Sequence, residues 1–103
     1  MEHESIGRIA ISRAGRDKGR AFLIVAEDPQ QADYVFVADG LLRKLAKPKK
    51  KKRKHLTMEP TVAETIRPKL LTGKQVFDAE IRSCLRTLGY MPNIGTEESE
   101  LLV

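Results

Sequence analysis

Two dense groups of Arg and Lys are the residues of this sequence best suited to chemistry. The first lies in SRAGRDKGR, residues 12–20, where cations surround two glycines. Its cations and glycines are Arg13, Gly15, Arg16, Lys18, Gly19 and Arg20. A tight, glycine-exposed backbone brings amide N–H groups and guanidinium forks close to phosphate oxygens. A soluble β-turn has the same composition, so composition alone leaves phosphate binding and a plain turn as open alternatives.

The second group is the run KPKKKKRKHL, residues 47–56. Its cations are Lys47, Lys49, Lys50, Lys51, Lys52, Arg53 and Lys54. Such runs occur as solvated segments, as nuclear localisation signals and as nucleic-acid-binding patches. Because strand side chains alternate between two faces, either face of this segment would carry charge, which excludes it from a core. The favoured interpretation is a protruding loop or strand extension laid along phosphates, with Arg43 and Lys44 extending the same surface.

The other polar residues give little support to catalysis, cofactor binding or metal binding. The two histidines, His3 and His55, have no Cys or carboxylate at metal-ligand spacing, and no nucleophile motif is present. Cys84 lies in an apolar helical pattern, where a cysteine is more often a small buried residue than a reactive thiol. We therefore expect a non-enzymatic protein with no metal and no cofactor. The few aromatic residues fit strand or helix cores, so no platform for stacking single-stranded bases is evident.

Positive charge is concentrated in the first half of the chain. Residues 1–58 contain 14 Lys and Arg against 7 Asp and Glu, whereas residues 59–103 contain 5 against 7. A field of this sign attracts nucleic acid or an anionic membrane surface, but no apolar anchor or lipidation signal accompanies it. The sequence also has no membrane-spanning stretch, no secretion signal and only one cysteine, so we expect a cytoplasmic protein without an intramolecular disulfide.

The sequence predicts that short strands position these cations. Alternation and β-branched residues predict strands over residues 6–12, 21–26 and 34–38, with a glycine-containing turn over residues 14–20. The pair Asp39-Gly40 predicts a two-residue hairpin into a fourth strand over residues 41–45. A fifth strand could lie over residues 55–57. Five short strands with tight turns predict a small barrel.

The second half of the chain predicts helices. Two strands, AFLIVA and YVFVA, are apolar on both faces, so we expect something to cover their outer side. The candidate is a helix over residues 72–89, with Thr72 as its cap and Gly89 at its end. One face of this helix would carry Phe77, Ile81, Cys84, Leu85 and Leu88. A shorter helix over residues 61–67 is possible, limited by Pro68.

A resemblance to a known family joins these observations. The stretch GRIAISRAGRDKGRAFLIV resembles a KOW motif, in which a strand, a basic glycine-containing turn and a second strand form one signature. Gly15 matches the hallmark glycine, and Lys18 and Gly19 match the basic residue and glycine that follow. The stretch VFVADGLLRKLAKPKKKKRKHL is similar to small bacterial KOW-domain proteins related to a large-subunit ribosomal protein of archaea and eukaryotes. The resemblance covers residues 5–57, and the helix is more loosely similar to the C-terminal appendage of that group.

The resemblance implies a mainly β protein, a small SH3-like barrel with a C-terminal helical appendage. The barrel would occupy residues 1–58, with the polybasic segment at 47–54, the appendage residues 59–90 and a flexible acidic tail residues 91–103. The expected function is contact with structured RNA through the two basic groups, and the resemblance implies ribosomal RNA. The alternative is an adaptor of the transcription–translation machinery that binds proteins through the barrel and the apolar helix face.

Overall fold

The computed structural model describes residues 4–90. It is mainly β, as expected, with a five-stranded antiparallel sheet and two short helices. The strands are β1 (Arg8–Ser12), β2 (Ala21–Glu27), β3 (Tyr34–Ala38), β4 (Lys49–Lys52) and β5 (Leu56–Val62). The helices are α1 (Arg67–Leu71) and α2 (Asp78–Thr87), and a single 3-10 turn, Arg53–His55, joins β4 to β5. The predicted tail at 91–103 and His3 lie outside the described residues.

The strand order in the sheet is β4-β3-β2-β1-β5, and the sheet is strongly curled. In a flat sheet β4 and β1 would lie about 14 Å apart, because two strands separate them. Yet Lys51 Nζ on β4 lies 3.1 Å from the Oγ of Ser12 at the end of β1. Register irregularities in the β1–β5 and β2–β3 pairs accompany this curl.

Apolar residues of the sheet form two cores, one on each face, because successive side chains of a strand point to opposite sides. The inner core, inside the curl, contains Ala10, Phe22, Ile24, Val35, Val37 and Leu56. The outer core, between the sheet and the helical segments, contains Ile9, Leu23, Ala38, Ala63, Ile66, Ile81 and Leu85. As predicted, β2 and β3 are apolar on both faces because the helical segments cover part of their outer side.

Helix α2 covers the outer face of the sheet, and its fully buried residues are Ile81 and Leu85. The predicted start of this helix was wrong. Thr72 ends α1, and α2 begins after Phe77, whose backbone N–H donates to Glu80 Oε2 at 3.0 Å. Phe77 was also wrongly placed on the buried face, since it is 56% exposed. Gly89 follows the helix with a φ of 85°, as its predicted role at the end requires.

The segment between β3 and β4 differs from the prediction. Residues 41–45 form no strand, and the fourth strand is instead Lys49–Lys52, inside the polybasic run. Gly40 has a φ of 78° and lies so close to the backbone oxygen of Asp78 that a side chain would not fit. The chain therefore turns against the start of α2 rather than folding back as a two-residue hairpin.

The end of the sheet and the start of the helices also differ from the prediction. Strand β5 continues past residue 58, where the barrel was expected to end, and reaches Val62. The short helix expected over residues 61–67 lies later, at Arg67–Leu71, with Pro68 in its first turn, where its missing N–H is tolerated. Neither described helix is both long and apolar enough to cross a membrane.

Candidate nucleic-acid interface

Three basic segments that are distant in sequence meet at one end of the sheet. They are the turn at residues 13–20, the loop at residues 39–47 and strand β4. Asp17 of the turn joins them, because its nearly buried carboxylate pairs with Arg43 Nη2 at 3.1 Å and with Lys51 Nζ at 3.8 Å. The two basic groups identified in the sequence are therefore neighbours in the fold.

Asp39 organises the loop from within the protein. Its side chain is fully buried, and its Oδ1 accepts hydrogen bonds from the backbone N–H groups of Leu41 and Arg43, both at 2.9 Å. Arg20 Nη2 donates to Oδ2 at 2.7 Å. Burial raises the pKa of Asp39, but the hydrogen bonds from Arg20, Arg43 and Leu41 outweigh it and hold the pKa below its ordinary value. The carboxylate is therefore charged at neutral pH and holds Arg20 in place.

Lys51 is an internal residue despite its position in the polybasic run. It is only 9% exposed, and its Nζ donates to Ser12 Oγ at 3.1 Å and to the Ala14 carbonyl at 3.3 Å. In the register of the sheet it lies opposite Val35 of the inner core. The expectation that the polybasic run stays clear of the core is thus wrong for Lys51. Its ammonium is tolerated there because it is hydrogen-bonded and faces Asp17.

Lys50 of the run also has partners within the protein. Lys50 Nζ lies 3.1 Å from Asp28 Oδ2 and donates to Gln31 Oε1 at 2.6 Å. Hydrogen bonds from the Gln30 backbone and from Lys50 lower the pKa of Asp28. These contacts tie β4 to the β2–β3 loop, yet Lys50 stays 43% exposed and can still reach a ligand.

Arg53 has the most partners of the run. Its Nη1 donates to Ser5 Oγ at 2.9 Å and its Nε to the Ala32 carbonyl at 2.8 Å, and Nη2 lies 3.6 Å from Glu27 Oε2. The guanidinium thereby joins the start of the chain to the loop between β2 and β3. Arg53 is better placed to hold the fold than to bind an anion.

The remaining sequence-predicted cations are exposed at the surface. They are Arg13, Arg16, Lys18, Lys44, Lys47, Lys49 and Lys54, and Lys52 is half-buried beside them. No ion pair of these exposed side chains with another residue is seen within residues 4–90. The structure thus separates the predicted set into exposed cations and cations that brace the fold, Arg20, Arg43, Lys51 and Arg53.

A cleft lies beside three members of the exposed set, Lys44, Lys47 and Lys49. It has a volume of about 460 Å³ and is lined by Leu42, Arg43, Lys44, Lys47, Pro48, Lys49 and Lys50. On the turn, Gly15 and Gly19 both adopt positive φ, 79° and 87°. A cleft lined by cations of one sign attracts anions and concentrates them locally. This geometry suits the oxygens of a phosphate backbone.

The two carboxylates that organise the interface were not predicted as such, because Asp17 lies inside the predicted turn at residues 14–20 and Asp39 was interpreted only as part of a hairpin signal. Asp17 lies between Arg16 and Lys18, and an acid inside a basic turn is a usable sign of an internal counter-charge. Its partners, however, lie in other elements, and Arg43 is 26 residues away in sequence. Only the fold shows which cations it pairs with.

Cys84 lies on the apolar side of α2 as expected, but it is partly buried rather than buried. It packs at the edge of the outer core, and burial raises the pKa of its thiol, which keeps the thiol protonated and less nucleophilic. Within residues 4–90, no three His, Cys, Asp or Glu side chains are grouped as metal ligands would be.

The chain matches no protein-family model and no curated protein sequence. The likeness to KOW proteins therefore stays an expectation from the sequence motifs.

Proposed function

We propose that this is a non-enzymatic RNA-binding protein of the KOW type, built as an SH3-like barrel, that contacts the phosphate backbone of structured RNA. Ribosomal RNA in the bacterial cytoplasm is the proposed target, as the resemblance implies. The observation that carries the proposal is the convergence of the turn, the loop and β4 on one cationic surface around Asp17.

The arrangement of strands supports the barrel. Strand β1 pairs with both β2 and β5, and the curl brings β4 within reach of the end of β1. The basic glycine turn connects β1 to β2, which is where a KOW motif would place it. A curled five-stranded sheet with one basic end leaves the loops at that end as its binding surface.

The internal ion pairs support backbone recognition in particular. Buried Asp17 and Asp39 hold Arg43 and Arg20 in fixed positions, so the loops are preorganised before an RNA arrives. The exposed lysines and arginines then face solvent with flexible side chains, which suit phosphates along a folded RNA. If about four phosphates are neutralised, the logarithm of affinity should fall with the logarithm of salt with a slope of about −3 to −4.

A matched pair of variants tests this proposal. Lys47→Gln with Lys49→Gln removes two charges from the cleft, whereas Lys74→Gln with Arg86→Gln removes two exposed charges elsewhere. The tagged proteins would be sedimented with cell lysate through a density gradient, at low salt and at high salt. Affinity for purified ribosomal RNA would be measured in parallel by filter binding.

We expect the native protein and the Lys74/Arg86 variant to sediment with large ribosomal subunits at low salt. The Lys47/Lys49 variant should be released at lower salt and should have a salt slope shallower by about 2. Equal behaviour of the two variants would show that affinity follows total charge rather than this surface. A native protein that stays at the top of the gradient and binds no purified RNA would refute the proposed function.

A protein-binding adaptor is the second candidate, and one observation favours it. Leu42 and Phe77 are 64% and 56% exposed, and the loop and helix that bear them are joined by Arg82 Nη1 donating to the Gly40 carbonyl. The apolar face proposed earlier for an adaptor is not available, because Ile81 and Leu85 are buried. A partner retained at high salt, and lost on Leu42→Ser, would favour this function over phosphate binding.

A further inference from the structure

An aromatic patch lies on the outer face of β3 and β4, beyond the part that α2 covers. Tyr34 and Phe36 are on the same side of β3 as Ala38 of the outer core, since strand side chains alternate. In the register of the sheet, Tyr34 lies opposite Lys52 and Phe36 lies opposite Lys50. Both rings are half-buried, and neither belongs to the inner or the outer core.

The two lysines lie over the ring of Tyr34. Lys50 Nζ is 4.7 Å and Lys52 Nζ is 5.7 Å from the ring centroid, within the range of a cation–π contact. Within residues 4–90, no hydrogen bond to the Tyr34 hydroxyl is seen, whereas the Tyr90 hydroxyl contacts Glu59 and Thr61. The side chain of Tyr34 is therefore held through its ring, and its hydroxyl is available to a ligand.

We infer that this patch takes an unpaired nucleotide of RNA, with the base stacked on Tyr34 and the adjoining phosphates on Lys50 and Lys52. The inference rests on the proposed function and adds a second mode of contact to it. Stacking of a base on an aromatic ring is typically stronger than a cation–π contact at an exposed site. A base can therefore displace the ammonium groups from the ring. Lys52 Nζ, for which no ion pair is seen within residues 4–90, can then pair with a phosphate, and Lys50 Nζ can share a phosphate while it keeps its contacts with Asp28 and Gln31.

The surroundings of the patch favour a single-stranded path across it. On one side, Lys50 lines the basic cleft described above. On the other, Lys52 lines a second cavity of about 420 Å³ together with Asp33, Arg53 and Lys54. A strand that leaves the cleft along β4 passes over Tyr34 before it reaches the second cavity. Proteins that bind single-stranded nucleic acid commonly combine a cationic groove with aromatic rings on which bases stack.

A role in sheet stability alone is the plain alternative for Tyr34, because aromatic side chains also stabilise neighbouring strands. The two roles differ in what a substitution changes. Tyr34→Leu keeps an apolar side chain on the strand but removes the aromatic face, and Tyr34→Phe keeps the face. Phe77→Leu is the matched control, since Phe77 is an exposed aromatic residue outside the patch.

The test uses two RNA probes with equal numbers of phosphates, a hairpin with an unpaired loop and a fully paired duplex. The loop carries 2-aminopurine, whose fluorescence falls when it stacks on an aromatic ring. We expect the native protein to quench the loop probe on binding. Tyr34→Leu should bind the hairpin roughly 5- to 100-fold more weakly and lose the quenching, with duplex affinity unchanged. Tyr34→Phe and Phe77→Leu should behave as the native protein does.

The outcomes separate this inference from the proposed function. Native protein that binds both RNAs without quenching the loop probe would overturn the inference and leave phosphate binding intact. Equal hairpin affinity for Tyr34→Leu and native protein would overturn it as well. Native protein that binds neither RNA would overturn both. The quenching experiment needs only native protein, so it decides even if Tyr34→Leu does not fold.

Discussion

Replacing Asp39 by Asn tests how the loop at the basic end is held in place. The amide oxygen of Asn can still accept the backbone N–H groups of Leu41 and Arg43, but its NH₂ group would face Arg20 Nη2, donor against donor. Breaking a buried ion pair costs about 3–5 kcal/mol in full. Arg20 is 32% exposed and can partly turn to water, so we expect a loss of about 2–3 kcal/mol.

The matched control is Asp28→Asn. Asp28 also accepts hydrogen bonds from two backbone N–H groups, those of Gln30 and Gln31, and pairs with a cation, but that cation is the more exposed Lys50. We expect this change to destabilise the protein clearly less than Asp39→Asn does, because Lys50 is exposed and can turn to water.

Urea unfolding followed by circular dichroism measures both variants. A loss of about 2–3 kcal/mol in Asp39→Asn corresponds to a thermal midpoint lower by about 10 to 20 °C for a domain of this size. If Asp39→Asn costs no more than Asp28→Asn, then burial does not set the strength of the Asp39 pair. The account of how the loop is preorganised would then be wrong.

Three further predictions concern the same fold. Ile81→Asp places a charge in the outer core and should unfold the protein or lower its thermal midpoint strongly. Ser83→Asp, on the exposed side of α2, should change the midpoint little. An unchanged midpoint for Ile81→Asp would refute the docking of α2 on the sheet. Folding lowers the pKa of Asp39, so its charged carboxylate stabilises the protein fully above the unfolded pKa of about 3.9, and this stabilisation is lost as pH falls through the folded pKa. In urea unfolding from neutral to acid pH, the free energy of unfolding should therefore fall less in Asp39→Asn than in the native protein. Gly40→Ala should destabilise far more than Gly19→Ala, since both have positive φ but only at Gly40 would the methyl meet the backbone of α2; equal thermal midpoints would contradict that close packing.

Strands β2 and β3 were predictable because their signals are local. Apolar residues, several of them β-branched or aromatic, make up nearly all of both strands, and the segments before them contain glycines, Pro29 and polar residues. The segment at 41–45 was mispredicted because its apolar residues and the preceding Asp39-Gly40 imitate a hairpin. The Asp39 carboxylate instead binds the N–H groups of Leu41 and Arg43, which closes the chain into a loop.

Strand β4 could not have been predicted from propensity. A run of lysines has weak strand preference and repels itself, so an isolated segment would stay extended and solvated. In the fold, β3 offers its backbone hydrogen bonds and Asp17 and Asp28 supply counter-charges for Lys51 and Lys50. These partners come from distant parts of the sequence, and the tertiary contacts override the local preference.

The candidate site was predictable as a set of cations but not as an arrangement. The density of Arg and Lys is visible in the sequence, and so is the glycine turn. Which cations are internal depends on carboxylates in other elements, as the contrast between buried Lys51 and exposed Lys49 shows. The two lysines lie on the same face of β4, but the surroundings of that face differ at the two positions, so Lys51 is buried and Lys49 is exposed.

The position of β4 at one end of the strand order has a consequence for solubility. A strand with a neighbour on one side only can pair with a strand of another molecule, and lysines on such a strand oppose that pairing by charge repulsion. The lysines of β4 therefore oppose self-association of the sheet, in addition to the RNA contact proposed for them. If RNA binds as proposed, it would neutralise these lysines and cover the strand, whereas substitutions that neutralise them would leave the strand open. Loss of RNA binding and a gain in aggregation should then appear together in variants of β4, but not in variants of Lys18 or Lys47, which lie outside the strand.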